Sequence, residues 1–146
     1  MIWRDLATFV LVAGTVMIHA VGLAILLKAL MKSQGRLPTC FWPIVWLLNR
    51  VTLGLIVMHL AAISVWRMFY NWRDCLPDLE SAFYFSGVTC ATIGYGDLVL
   101  PKLWRMLSPV GGLAGILKCG LSAGIFFSVV NQIYSVCAES NMQNSP

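Results

Sequence analysis

The sequence predicts an all-α membrane protein: three transmembrane helices per chain, with a short re-entrant helix and a loop between the second and third. Three observations predict it. Of 146 residues, 59% are hydrophobic and 11% charged, whereas soluble domains carry roughly 25% charged residues. Three apolar runs reach the roughly 20 residues needed to cross a hydrocarbon core. A fourth apolar run, too short to cross, ends in the polar, glycine-punctuated hexamer Thr92-Ile93-Gly94-Tyr95-Gly96-Asp97. Such a chain has no room for several independent domains. The expected divisions are residues 1–50 (an N-terminal helix and loop), 51–137 (two spans enclosing the re-entrant segment) and 138–146 (a tail).

The first span is Leu6 to Leu27, uncharged and interrupted only by His19 and a few small residues, with the helix reaching Met31. A signal peptide would have a shorter apolar region and a small-residue cleavage site. Lys28, Lys32 and Arg36 follow instead, so a retained helix is expected. The second span is Val51 to Tyr70. Arg67 lies close enough to its end to reach the interface along its own stem. Trp66, Phe69, Tyr70 and Trp72 form an expected aromatic belt there, with Trp42 and Trp46 before the other end. Pro77-Asp78-Leu79-Glu80 then reads as a helix start, because proline suits the first turn and acids suit the positive end of the dipole. Ser81 to Ala91 is a short helix that stops where the hexamer begins. Irregular backbone at membrane depth is tolerated only where protein or a water-filled cavity surrounds it, so helix and hexamer form a re-entrant loop. Ser108 to Val136 is the third span, rich in glycine and broken only by Lys118.

Basic residues near helix ends set the orientation. Lys28, Lys32, Arg36 and Arg50 lie between the first two spans with no acid among them. On the re-entrant side, Arg67, Arg73, Lys102 and Arg105 are accompanied by Asp74, Asp78, Glu80 and Asp97. The expectation is a multi-pass protein of the plasma or inner membrane, with the N-terminus and the mouth of the loop outside and the first loop and C-terminus in the cytoplasm.

Several function classes are disfavoured. The net charge of +4 comes without a basic, aromatic-interleaved block, so nucleic acid is not an expected partner. No nucleophile, base and orienting group fall together, so no enzyme is expected. Cys40, Cys75, Cys90, Cys119 and Cys137 lack metal-ligand spacing and a CxxC pair. Most read as small apolar fillers, while Cys75 stands apart because it lies in a polar loop, where a thiol could react.

The hexamer is the most informative feature. Glycines flanking Tyr95 permit backbone angles closed to other residues, so successive carbonyls can turn toward one axis. A file of such oxygens can replace the water around a potassium ion. These residues resemble the selectivity filter of the potassium channel family. From about Val51 to Val136 the chain is similar to bacterial pore-loop channels of the two-transmembrane ion channel family, with one extra N-terminal helix. The resemblance implies that K+ is the permeant ion, with no organic cofactor. Thr92 would offer hydroxyl and carbonyl oxygens, and Ile93, Gly94 and Tyr95 further carbonyls, with Gly96 completing the filter. The side chains of Ile93 and Tyr95 would pack away from the axis against the pore helix. Asp97, Tyr84, Phe85 and Thr89 would support the filter from behind; Val88 stands where some members carry a buried glutamate. In the inner helix, Gly115 matches a hinge position, and Ile116, Cys119 and Ala123 match cavity-lining ones.

One chain contains one filter strand and no internal repeat of it, which implies a homotetramer in the lipid bilayer, with room for a regulatory partner of unspecified chemistry. The C-terminal ends of four pore helices would then face one cation. Gly111, Gly112, Gly120 and Gly124 fit either close helix packing or added flexibility, as Gly115 does. Lys118 shares a helical face with Gly111, Gly115 and Ser122, away from Ile116, Cys119 and Ala123. A charge within a span is costly and usually functional; the expectation is that it faces a helix interface near the pore helix's end. His19 and His59 read as hydrogen-bonded core residues, although histidine also permits proton sensing. No arginine-repeat helix, nucleotide-binding loop or calcium loop is present. Two rival readings remain: a potassium transporter subunit, disfavoured by the intact single TIGYGD, and a non-conducting regulatory or assembly subunit, suggested by Lys118.

Overall fold

A computed structural model describes the backbone of residues 2–33 and 41–143, and the side chains of 6–30 and 41–138. Among the described residues it has four helices and no strands: α1 (Ile2–Ser33), α2 (Phe41–Trp72), α3 (Leu79–Cys90) and α4 (Leu107–Gln143). Three of them contain stretches long and apolar enough to cross a membrane: Leu6–Leu30, Phe41–Trp72 and Leu107–Ala138. At 12 residues, α3 rises about 18 Å and cannot cross. Cys40 and Arg36 lie outside the described residues, as do the side chains of Met31 and Lys32.

Each long helix buries one stripe at helical spacing. In α1 it runs Leu11, Thr15, His19 and Leu23; in α2, Val51, Leu55, Ala62, Trp66 and Tyr70; in α4, Leu107, Ala114, Lys118, Ser122, Val129 and Ile133. α1 packs on α2 and α4, and α3 fits between α2 and α4. Two apolar clusters result. One gathers Leu11, Trp66, Tyr70, Cys75, Ala82, Phe85, Leu100 and Leu107 at the α3 end; the other gathers Leu23, Val51, Leu55, Val129 and Ile133.

The second helix begins at Phe41 rather than Val51, so Arg50, expected in the connecting loop, lies on it. Pro43 falls in its first turn, where a missing N–H costs nothing, and the Arg50 guanidinium lies 5.0 Å from the Trp46 ring centre. The aromatic belt needs correction. Trp72, Trp42 and Trp46 are exposed, but Trp66 and Tyr70 are the most deeply buried large side chains of α2. They are four residues apart and so share the face that meets α3. Tyr70 packs edge-on against Phe85, with centroids 5.4 Å apart.

Cys75 also departs from expectation. Asp74 at φ 48° turns the chain back after α2, and Cys75 N–H bonds the Tyr70 carbonyl at 2.9 Å. The thiol is only 5% exposed, and burial pushes its pKa up, which leaves less of the reactive thiolate.

Candidate functional site

The site begins with how α3 is held. Asp78 is its N-cap, with extended backbone, and its carboxylate accepts from the Ser81 amide at 2.7 Å and from the Ser81 hydroxyl at 3.0 Å. Those two bonds hold the Asp78 carboxyl below its ordinary range. The far end of α3 closes with the Ile93 amide on the Val88 carbonyl at 2.9 Å and the Thr92 amide on the Thr89 carbonyl at 3.0 Å. This pair of bonds is a Schellman cap, whose left-handed position is usually glycine. Here it is Thr92, at φ 61°. A left-handed backbone at a β-branched residue is a genuine outlier, costing about 1–2 kcal/mol, and such strain gathers at functional positions.

The loop continues the pattern. Gly94 has φ 57° and Gly96 φ 81°, while Ile93 and Tyr95 are not among the positive-φ residues. In an ordinary strand successive carbonyls point to opposite sides. Inverting every second residue undoes that alternation and brings successive carbonyls toward one side. Residues Thr92 to Asp97 are all exposed, with Ile93 at 54% and Tyr95 at 69%. The chain's own pore helix therefore does not cover Ile93 and Tyr95.

The expected support residues are only partly brought together. The Tyr84 hydroxyl bonds the Asp97 carboxylate, which raises the phenol pKa, and the Leu98 amide donates to Asp97 Oδ1 at 3.0 Å. Tyr84, Val88, Tyr95, Asp97 and Arg105 border one hollow behind the loop. Phe85 turns mainly the other way, into the core with Tyr70. Thr89 lies between, sharing a second hollow with Thr92, Gly94, Leu113 and Ile116.

The expected cavity and hinge residues divide between two faces of α4. Ile116, Cys119 and Ala123 are exposed on one face, while Gly115 is buried on the other. A Cβ at Gly115 would land on the Cys90 carbonyl. One at Gly111 would come within 3.4 Å of Thr89 and Trp66. These two glycines are therefore close-packing positions against α3 and α2, whereas Gly120 and Gly124 have nothing within 4 Å of a Cβ. Lys118 lies on the Gly115 face and is 4% exposed. The left-handed backbone of Thr92 and the place of Arg105 in the same hollow as Asp97 were not foreseeable from residue type, because neither residue is a usual marker of its position.

Two complete spans that enclose a half-helix and a turned-back loop, with a further span ahead of them, define a pore-loop membrane protein. The family described as ion channel, a two-transmembrane family, matches residues 52–132, more than half of the 146-residue chain. The chain belongs to that ion channel family. The match covers most of α2, all of α3 and the loop, and much of α4, and leaves α1 outside. No curated protein and no solved structure matches the chain.

Proposed function

We propose that the chain is one subunit of a homotetrameric, potassium-selective channel that conducts K+ passively, with Thr92 to Gly96 as its filter. The observation that carries this reading is the alternation of left-handed backbone at Thr92, Gly94 and Gly96 within a TIGYGD string. Four such strands around one axis offer stacked rings of carbonyl oxygens in place of the ion's water. The exposed Ile93 and Tyr95 side chains then find cover on neighbouring copies, with the Tyr84–Asp97 bond bracing the outer mouth. The negative end of α3 faces the ion's approach, where a helix C-terminus carries about half a charge. Ile116, Cys119 and Ala123 line the path below. The partners are three further copies and the bilayer. The loop opens to the outside, and the C-terminus lies in the cytoplasm.

Lys118 was the feature favouring a non-conducting subunit. Its burial on the face opposite Ile116 and Cys119 takes that charge off the proposed conduction path. The test is K+ flux into liposomes containing the purified protein. The reading requires flux that exceeds Na+ flux and is lost in Gly94→Ala; absence of flux, or indifference to that substitution, would overturn it.

A further inference from the structure

Between the two apolar clusters lies a polar layer, built where α1, α2 and α4 meet. Four of the five buried polar or charged side chains among the described residues fall within it or one turn away: Thr15, His19, Lys118 and Ser122. Thr15 is satisfied by its own helix, donating to the Leu11 and Val12 carbonyls. The others are arranged around one oxygen. His19 Nε2 lies 3.0 Å from Ser122 Oγ, and His59 Nε2 lies 3.2 Å from the same oxygen, with ring centroids 5.0 Å apart.

The chemistry of that arrangement is constrained. A hydroxyl has one hydrogen, so Ser122 can donate to only one of the two rings. The other ring must donate to it if both bonds are made. The neutral pair is then a directed chain through Ser122, with the two rings in opposite tautomers. His19 Nδ1 and Lys118 Nζ are buried with no partner at full hydrogen-bond geometry, and the Lys118 backbone beside the His19 ring is placed to accept from its protonated form. When the His19 Nε2–H is the donor to Ser122, Nδ1 is a bare lone pair, and a proton can bind there without breaking the bridge.

Every titratable group facing this layer is a base or a thiol. α1 contributes His19, α2 His59, α3 Cys90 and α4 Lys118. No Asp or Glu occurs in any of the three spans. Like charges this close and this dry repel strongly, so His19, His59 and Lys118 cannot all be charged at once. The layer therefore responds to proton concentration as one unit.

We propose that His19, His59 and Lys118, bridged by Ser122, form a buried proton-binding site, and that loading it lowers conduction through the adjoining pore. The second half rests on the channel reading above. Lys118 lies about one turn along α4 from Gly115, which packs directly on the carbonyl of Cys90, the last residue of α3, whose negative end would otherwise favour a cation. A positive charge added to the layer opposes that field, so acidification lowers K+ flux.

Two measurements test the two halves separately. The first is 15N NMR of the histidine rings in the full chain, reconstituted in lipid nanodiscs, from about pH 8 to about pH 5. The expected result is a single coupled transition shared by both rings. Rings that stay neutral throughout, or titrate independently as exposed histidines do, would overturn the proton site. Gly94→Ala, which silences flux in the channel reading, leaves this transition in place.

The second is K+ flux across the same pH range. Wild-type flux is expected to fall about tenfold on acidification, the scale of one charge acting near a permeant ion. The variant carrying both His19→Gln and His59→Gln gives a flat profile. Lys118→Met retains the fall but moves its midpoint to higher pH, because a competing cation is gone. Polar residues acting only as glue between helices would reduce the amount of assembled protein and leave the midpoint unmoved, and that result would overturn control of conduction. Wild-type liposomes without flux at any pH would count against the channel reading, while the ring titration still decides the proton site.

Discussion

On one side of Ala91, α3 sets Ala82, Phe85 and Ser86 against Tyr70 and Trp66 until all five are buried; on the other, Thr92 to Asp97 stay exposed along their whole length. The two stretches are continuous in sequence and differ in what a single chain can supply. The pore helix is capped at both ends and packed against α2 and α4 by its own chain. The loop has the backbone turns it needs but not the surface that would cover Ile93 and Tyr95. Unlike the exposed apolar side chains along the spans, which can face lipid, Ile93 and Tyr95 sit on irregular backbone, which at membrane depth is tolerated only where protein or a water-filled cavity surrounds it. In the proposed channel, the chain prepares one filter strand and other copies complete it.

The largest expected effect falls on the loop. In Gly94→Ala the added Cβ meets nothing within 4 Å, but the backbone sits at φ 57°. The cost is conformational, about 1–2 kcal/mol per strand, and it recurs in every subunit. K+ flux in liposomes should be abolished while the amount of assembled protein is unchanged. Equal loss of assembly would mean that the loop also builds the fold.

Next comes the packing side. Gly115→Ala places a methyl on the Cys90 carbonyl, and overpacking of this kind costs about 1–3 kcal/mol. Thermal unfolding in detergent should shift downward. An unshifted midpoint with altered flux would favour the hinge role instead of the packing one.

Thr92 joins the two stretches and should split their responses. Thr92→Gly relieves a left-handed β-branched residue and should stabilise the α3 cap by about 1 kcal/mol. It also removes the hydroxyl, so flux should fall as stability rises. A gain in both would show that the strain serves nothing in conduction.

The smallest effect belongs to Asp78→Ala at the far end of α3. The Ser81 N–H and hydroxyl hold the folded-state pKa of Asp78 below its ordinary value. Its contribution is therefore fully present above that ordinary value and fades as pH falls through the lowered one. Hydrogen exchange at the Ser81 amide should quicken in the variant at neutral pH, and in the wild type only at strongly acid pH. Equal exchange in both proteins at neutral pH would remove the cap from the description.

The features that follow a short-range rule were legible in the sequence. Apolar run length located the three spans, and Asp78 after Pro77 marked the start of α3. Two glycines around Tyr95 marked the loop. Lys118 could be placed on the Gly111–Gly115–Ser122 face from helical geometry alone. The rest depends on contacts between distant residues. Trp66 and Tyr70 look like interfacial aromatics until α3 is seen to cover them. Cys75 looks exposed until the turn at Asp74 folds it inward. The start of α2 was obscured because Pro43 and Arg50 read as a loop, although proline fits a first turn and the arginine lies over Trp46. Nothing in the local sequence of Thr92 announces a Schellman cap, and nothing local joins His19 and His59 through Ser122.

The most direct test counts the copies that make one filter. Wild-type and Gly94→Ala chains are co-expressed in known proportion, purified together, and assayed for K+ flux in liposomes. If four strands close one filter and a single silent strand disables it, flux follows the fourth power of the wild-type fraction, and about one sixteenth remains at equal proportions. Flux that declines in simple proportion, with about half remaining, would show that each chain conducts by itself and would contradict the shared filter.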